Sequence, residues 1–270
     1  MMLESLFGVQ KPVIGVIHLM PLPGSYGWNG DLEEVMLRAE QEALALGSGG
    51  VDGIIFENFF DAPFARDRVD VATACAMTLC GKRIVESCDL PVGVNVLRND
   101  ALTALAVATA CGAQFVRVNV LSGAMLTDQG IIEGDANGVL NYRRRLVGDN
   151  SIKIFADVMV KHAYPLSTAL EIGQVAQETM ERARADSVIV SGTGTGAKPD
   201  LSDLKAVKEA VPEAPVLIGS GSTRDNVAEL LEHADGIIVG TSVKRKGKLE
   251  NPVDVDRVRQ LVDAVRELRD

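Results

Sequence analysis

Eight short apolar runs, each followed by a helix-like segment, pace this 270-residue sequence from end to end. They are Val13–His18, Gly53–Glu57, Val92–Leu97, Phe115–Asn119, Lys153–Val158, Ser187–Ser191, Val216–Gly219 and Gly236–Gly240. Their starts lie about 32 residues apart on average, the length of one strand, one crossover helix and two short loops. The runs are rich in Val and Ile and apolar on both faces, as strands of a buried parallel sheet must be. The segments between them carry helical spacing: Asp31–Leu46, Arg66–Ser87, Asn99–Ala110, Gly138–Leu146, Leu166–Ala185, Asp200–Ala210, Thr223–Glu232 and Val253–Leu268. Asp31 reads as an N-cap, and the first of these helices is expected to stop at the Gly47–Gly50 cluster. Eight alternating units with no Pro-, Ser- or charge-rich linker predict an α/β fold, a (β/α)8 TIM barrel forming a single domain over residues 1–270. An open doubly wound sheet is the competing architecture.

Composition narrows the function classes. Aromatic residues make up 4% of the chain, too few for base-stacking recognition, and a net charge of −10 disfavours the basic face that nucleic acid requires. No run approaches the ~20 apolar residues of a membrane span, and Met1–Gln10 lacks the basic start of a signal peptide. Cys75, Cys80, Cys88 and Cys111 form no CxxC pair and read as free thiols of a cytoplasmic protein.

Barrel active sites gather where strands run into the loops that follow them. Polar groups stand at those ends of nearly every run: His18, then Glu57, then Asn95 with Arg98, then Arg117 with Asn119, then Asp157 followed by Lys161 and His162, then Ser191. The opposite ends begin with residues such as Val13, Val92 and Val216, so the polarity is one-sided.

The last two runs end differently. Gly219-Ser220-Gly221-Ser222-Thr223 is expected to lead straight into a helix, and Gly240-Thr241-Ser242-Val243-Lys244 follows the eighth run. Glycines let a backbone approach an anion, and these are the two loops with which barrels commonly hold phosphate. Gly219, Ser220, Gly221, Gly240 and Thr241 are therefore phosphate-binding candidates, with Lys244 as a point charge. A third loop, Gly192–Gly196, either closes over a ligand from Gly192 or is simply mobile. No P-loop is present, and the fragment of a dinucleotide fingerprint at Gly192–Gly196 comes too late in the chain for a Rossmann reading.

Glu57 and Asp157 are the acid–base candidates, since two carboxylates in one cavity can hold different proton affinities. The bland alternative for each is an ion pair with Arg117 or Lys161. Lys161 is a candidate base or oxygen ligand; its place in a loop beyond the strand counts against a Schiff base. His18 and His162 are candidate proton shuttles. Asn95, Arg98, Arg117, Asn119, Asp128 and Ser191 are candidates for orienting a ligand. No metal site is assigned: a divalent cation on Glu57, Asp157 and a histidine is conceivable, but the spacing has no diagnostic pattern. The long connection Val120–Gly138 is either a lid whose Thr127, Asp128 and Gln129 would meet a substrate or an interface whose Ile131 and Ile132 would instead pack on a second subunit of a homo-oligomer. Met20–Trp28 is likewise a lid or a dimer contact.

Several of these segments are familiar together. Val16–Gly24 (VIHLMPLPG), Glu57–Phe64 (ENFFDAPF), Gly93–Asp100 (GVNVLRND), Arg117–Val120, Thr127–Gly130, Ala156–Val158 with Lys161–Ala163, and the Gly219–Gly221 loop resemble the BtpA family. The resemblance runs from about Leu6 to about Val258 and implies a barrel of the ribulose-phosphate-binding type. It also implies, for photosynthetic members, a role in photosystem I biogenesis: stable accumulation of reaction-centre proteins, from a peripheral position on the cytoplasmic face of the thylakoid. Relatives occur in organisms without photosystems, one of them in a sugar-metabolism gene cluster. Two functions stay open. One is an enzyme performing proton-transfer chemistry, as an isomerase, lyase or hydrolase, on a phosphorylated small metabolite. The other is an assembly factor that acts by protein contact and reaches the membrane through a partner.

Overall fold

The computed structural model describes residues 2–148, 151–167, 169–192 and 194–269. In chain order its strands are β1 (Val13–His18), β2 (Gly53–Glu57), β3 (Val92–Asn95), β4 (Phe115–Val118), β5 (Ala124–Thr127), β6 (Gly130–Glu133), β7 (Lys153–Val158), β8 (Ala163–Pro165), β9 (Ser187–Val190), β10 (Val216–Ile218) and β11 (Gly236–Val239). Its α-helices are α1 (Met2–Phe7), α2 (Leu32–Gly49), α3 (Val71–Ser87), α4 (Ala101–Cys111), α5 (Ala136–Val147), α6 (Ile172–Glu181), α7 (Leu201–Ala210), α8 (Val227–Leu230) and α9 (Val255–Arg266). The eight apolar runs are β1, β2, β3, β4, β7, β9, β10 and β11, and they close into one parallel barrel in that order. The expected (β/α)8 architecture is the one found, and the open sheet is excluded by the pairing of β1 with β11.

Aspartates start most of the helices. Asp31, Asp70, Asp100, Asp135, Asp200 and Asp254 each accept a hydrogen bond from a backbone N–H of the first turn. Those N–H groups have no intrahelical acceptor, and a carboxylate there also meets the positive end of the helix dipole. Boundaries differ from expectation where the caps decide them. Helix α3 starts at Val71, after Asp70, rather than at Arg66. Helix α2 runs through Gly47 to Gly49 and ends at Gly50, whose φ of 89° supplies the left-handed cap. The predicted helix Leu166–Ala185 shrinks to α6, and α8 keeps only four residues of the predicted Thr223–Glu232.

The barrel interior follows from the two-residue period of a strand. Ile14, Val16, Ile55, Phe115, Phe155, Ile189, Leu217 and Ile238 point inward and pack as one cluster. Phe115 and Phe155 stack at 4.9 Å between ring centroids. Room for them comes from Gly93, where a Cβ would fall 2.1 Å from the Phe115 ring. Helix α1, which no feature of the sequence reading anticipates, closes the barrel floor: Leu3 and Phe7 join the interior cluster, with the Phe7 ring edge-on to Phe115 at 5.7 Å.

The long connection after β4 is neither a loose lid nor a helix. Strands β5 and β6 form a hairpin that β8 extends into a three-stranded antiparallel sheet. Met125 and Ile132 on its inner face pack on Val120 and Val160, while Ile131, Leu126 and Tyr164 stand in register on the exposed face. Among the described residues no helix is long and apolar enough to cross a membrane.

Phe7→Ala should unplug the floor. Truncating a buried phenylalanine costs about 3–5 kcal/mol, so the urea midpoint should fall clearly while the slope of the transition is kept. A midpoint equal to that of the unmodified chain would show that α1 is not part of the core.

Candidate functional site

Continuing each inward row one step beyond the apolar layer gives the mouth of the barrel. Ile14 and Val16 lead to His18, Ile55 to Glu57, Gly93 to Asn95, Phe115 to Arg117, and Phe155 to Asp157. His18 is in register with Glu57, Glu57 with Asn95, and Asn95 with Arg117. Four residues far apart in sequence thus form one arc, fixed by strand pairing rather than by loops.

Beneath the mouth lies a buried polar network, in which Asn95 Oδ1 lacks a partner among the described residues. Arg117 donates Nε to Asp157 Oδ2 at 2.8 Å and Nη2 to Oδ1 at 2.7 Å, a bidentate pair buried on both sides. Asn119 donates to Asp157 Oδ2 at 2.8 Å, and Ser191 Oγ lies 3.4 Å from Oδ1. Asn95 donates to the Arg117 carbonyl oxygen at 2.9 Å and to Asn119 Oδ1 at 3.2 Å. Arg117 stays firmly protonated: burial opposes its charge, but the Asp157 carboxylate outweighs that and raises its pKa. Removing one partner of such a pair strands a buried charge, at about 3–5 kcal/mol. The Asp157 carboxyl thus has its acceptor positions filled, in the ion pair with Arg117 that the sequence reading weighs against an acid–base role.

Above this network is a cavity of ≈ 220 Å³. His18, Glu57, Arg117 and Lys161 line one side. His18 Nε2 lies 3.4 Å from Glu57 Oε1, the imidazole packs edge-on to Phe59, and Nδ1 has no partner among the described residues. Burial, then the charges of Lys244, Lys161 and Arg117, holds the His18 pKa well below its usual value, so the ring is neutral. The Lys161 ammonium is also pushed down, by burial first and then by Arg117.

The other side is made by the loops after β10 and β11, with Thr195 and Gly196 above them. The backbone N–H groups of Ser220, Gly221 and Ser222 have no acceptor among the described residues. Ser222 Oγ is buried and likewise unpartnered. Gly221 has φ +73° and packs against the Lys198 backbone, where a Cβ would fall 2.3 Å from Lys198 N. At Gly240 a Cβ would fall 2.6 Å from His18 Cε1, so this glycine lets the β11 loop meet the imidazole.

The structure redistributes the residues picked out from sequence. His18, Glu57, Arg117, Lys161, Gly219, Ser220, Gly221, Gly240 and Thr241 all line the cavity. Asn95, Asn119, Asp157 and Ser191 form the network below it. Lys244 does not serve the phosphate loop: its Nζ is buried 2.5 Å from Glu42 Oε2, tying the β11 loop to α2. Arg98 points to the chain rather than to a ligand, donating Nη2 to the Lys161 carbonyl oxygen at 2.6 Å. His162 is exposed, and its Nε2 accepts from Thr195 N at 3.2 Å, bridging to the neighbouring loop. Asp128 sits exposed at the hairpin turn beside Gln129, whose Nε2 donates to it at 2.6 Å. Gly192 donates to Ser220 Oγ at 3.0 Å and so braces the loop after β10; Thr193 of the same loop as Gly192 lies outside the described residues. The helix expected right after Thr223 starts only at Val227, and Thr223 N is taken by Asn226 Oδ1, so no helix dipole aids the cradle. Ser222, Thr195 and Ser242 line the cavity without having been singled out, although Ser222 and Ser242 sit inside the very loops that were. Among the described residues no three His, Cys, Asp or Glu side chains converge as a metal site.

A model of the BtpA family matches residues 9–267. The photosystem I biogenesis protein BtpA of Synechocystis sp. is 51% identical, over 97% of this chain and 90% of its own length. An uncharacterised protein of Thermococcus kodakarensis is 46% identical, over 96% and 97%. Among solved structures, phosphoribosyl anthranilate isomerase from Thermus thermophilus superposes with a TM-score of 0.55 over 96% of this chain and all of its own, at 13% identity, a likeness of fold.

The neutral His18 gives a pH signature. Above about pH 6.5, the ordinary histidine value, both folded and unfolded chains hold it uncharged. Below that, the unfolded chain takes up a proton that the folded chain resists, so stability falls with pH, by up to about 1.4 kcal/mol per unit. Chemical denaturation between about pH 7.5 and about pH 5 should show a smaller loss in His18→Gln than in the unmodified chain; equal losses would place the ring in a solvated setting.

Proposed function

The chain belongs to the BtpA family, and on that premise we propose that it binds a phosphorylated small molecule in the barrel mouth and moves protons there. The biological setting we propose is photosystem I biogenesis, as in its Synechocystis relative.

The first statement rests on the orphaned donors of the β10 loop. Three adjacent N–H groups and the Ser222 hydroxyl, in residues that line the cavity, have no acceptor among the described residues. Buried donors left unmatched cost about 1–3 kcal/mol each, and an anion with several oxygens satisfies them together. The ammonium of Lys161 and the guanidinium of Arg117 favour negative charge in the same space. At the far end, Glu57 carries a carboxylate next to a neutral imidazole, a pair that can take a proton from a bound carbon or oxygen and return it. Such a site suits an isomerase or lyase on a sugar-phosphate-like ligand. The Arg117–Asp157 network lies beneath that pair.

Inorganic phosphate and small phosphate esters should raise the melting temperature. A ligand at 100 times its Kd stabilises by about 2.7 kcal/mol. Ser222→Ala loses one charge-assisted hydrogen bond and should need about tenfold more ligand or beyond for the same shift, with the unliganded melting temperature unchanged. No shift with any phosphate compound would end this reading.

The second statement is carried by the 51% identity along nearly the whole chain. No helix of the described residues can span a membrane, so attachment to a thylakoid surface would run through a partner. The sequence likeness extends at 46% to an archaeal protein, which favours a metabolic site that photosynthetic lineages use for assembly over a surface evolved for one photosystem. In a strain lacking this gene product, a chain carrying Glu57→Gln should fail to restore photosystem I reaction-centre proteins although it accumulates normally. Full restoration would show that contact alone suffices.

A further inference from the structure

Lys161 stands apart from every other cation of the mouth. Arg117 is neutralised by Asp157, Lys244 by Glu42, and Arg98 donates to a carbonyl. The Lys161 ammonium lines the cavity and has no hydrogen-bond or ion-pair partner among the described residues. Its placement is also built. Arg98 grips the Lys161 carbonyl oxygen at 2.6 Å, and the preceding Val160 is buried under the β5–β6 hairpin. Two non-glycine residues bracket it in the left-handed region, Met159 at φ 49° and His162 at φ 57°. Such backbone costs of order 1–3 kcal/mol per residue and persists where the surroundings enforce it, commonly at functional sites. The loop position that counted against a covalent role in the sequence is thus folded back over the barrel, and the side chain reaches the same cavity as Glu57 and the anion cradle.

Resting on the phosphate reading above, we propose that Lys161 is a catalytic nucleophile that forms a Schiff base with the carbonyl carbon of a phosphorylated aldehyde or ketone. The amine lone pair attacks the carbonyl carbon, forming the C–N bond as the C=O π electrons move to oxygen. Nitrogen gives up one proton and the oxygen takes one, leaving a neutral carbinolamine. The proton that the Lys161 ammonium sheds on becoming an amine is taken up by Glu57 and, delivered from there to that hydroxyl, lets water depart as the nitrogen lone pair forms the iminium. Nothing is oxidised or reduced. The iminium draws electrons from the adjacent carbon, so that Glu57 can remove its proton or a C–C bond there can break. The depressed proton affinity of Lys161, caused by burial and by Arg117, leaves more of the amine unprotonated for the first step.

The test is reductive trapping. The full chain is incubated with glycolaldehyde phosphate or dihydroxyacetone phosphate and cyanoborohydride, and its tryptic peptides are read by mass spectrometry. The adduct should sit on Lys161 until labelling is stoichiometric, inorganic phosphate should block it, and Lys161→Ala should lose it, the β10 loop still taking phosphate but more weakly without the ammonium. Three results would overturn the proposal. Phosphate may stabilise the chain while label scatters over surface lysines; the anion site then stands and the Schiff base falls. Label may be unchanged in Lys161→Ala, with the same consequence. Unphosphorylated glycolaldehyde may label Lys161 as readily as its phosphate ester, with no phosphate-induced stabilisation; the amine is then reactive, but the phosphate reading and the substrate class built on it fail.

Discussion

Everything at the mouth depends on the strict alternation of side chains in a closed barrel. Once Phe115 and Phe155 are stacked on the axis and floored by Phe7, the inward rows of all eight strands are set. A one-residue slip of any strand would turn its inward row outward and carry its polar end off the axis. The arc from His18 through Glu57 and Asn95 to Arg117 therefore needs no loop to assemble it. It is the next layer of the same stack that makes the core, and it inherits the rigidity of that core.

That origin explains what could be read from sequence. The runs, their spacing and the polar residues at one end of each were visible because they are local patterns of burial. Parity could have gone further: His18, Glu57, Asn95, Arg117 and Asp157 each lie an even number of residues from an inward apolar neighbour, whereas Arg98 and Lys244 lie beyond their strands. Those two were drawn into the site by charge and proximity alone. Their partners, the Lys161 carbonyl and Glu42, come from elements 63 and 202 residues away in the chain, and no local pattern announces such a pairing. Helix α1 was missed for a different reason. Six residues are too few for a helical signature to stand out, and its stability comes from docking on the barrel floor. The three-stranded sheet was missed because β5, β6 and β8 are short, and β8 joins the local β5–β6 hairpin across a long sequence gap.

Electrostatics then separates structure from chemistry within one small volume. Around the cavity stand four cations, Arg98, Arg117, Lys161 and Lys244, and three carboxylates, Glu42, Glu57 and Asp157. Two cations are matched in contact, so the interior can bury them without a large penalty. With His18 neutral, the remainder is Arg98, Lys161 and Glu57, one positive charge in excess. An anion is the complement that such a field selects, and the N–H groups of the β10 loop, without an acceptor among the described residues, are where the proposed phosphate would dock.

The same arithmetic links the two statements about function. A ligand held between the β10 loop and Lys161 touches two loops, which Gly192–Ser220 and His162–Thr195 join to the loop after β9. Occupancy would therefore bridge three neighbouring loops on one rim of the barrel. An assembly role and a small-molecule site need not be rival descriptions, because binding energy at the cradle can set the population of the rim conformation that a partner meets. The coupling can be no larger than the difference in ligand affinity between ordered and disordered rims, which makes the cavity, rather than the surface, the place where such regulation would be tuned.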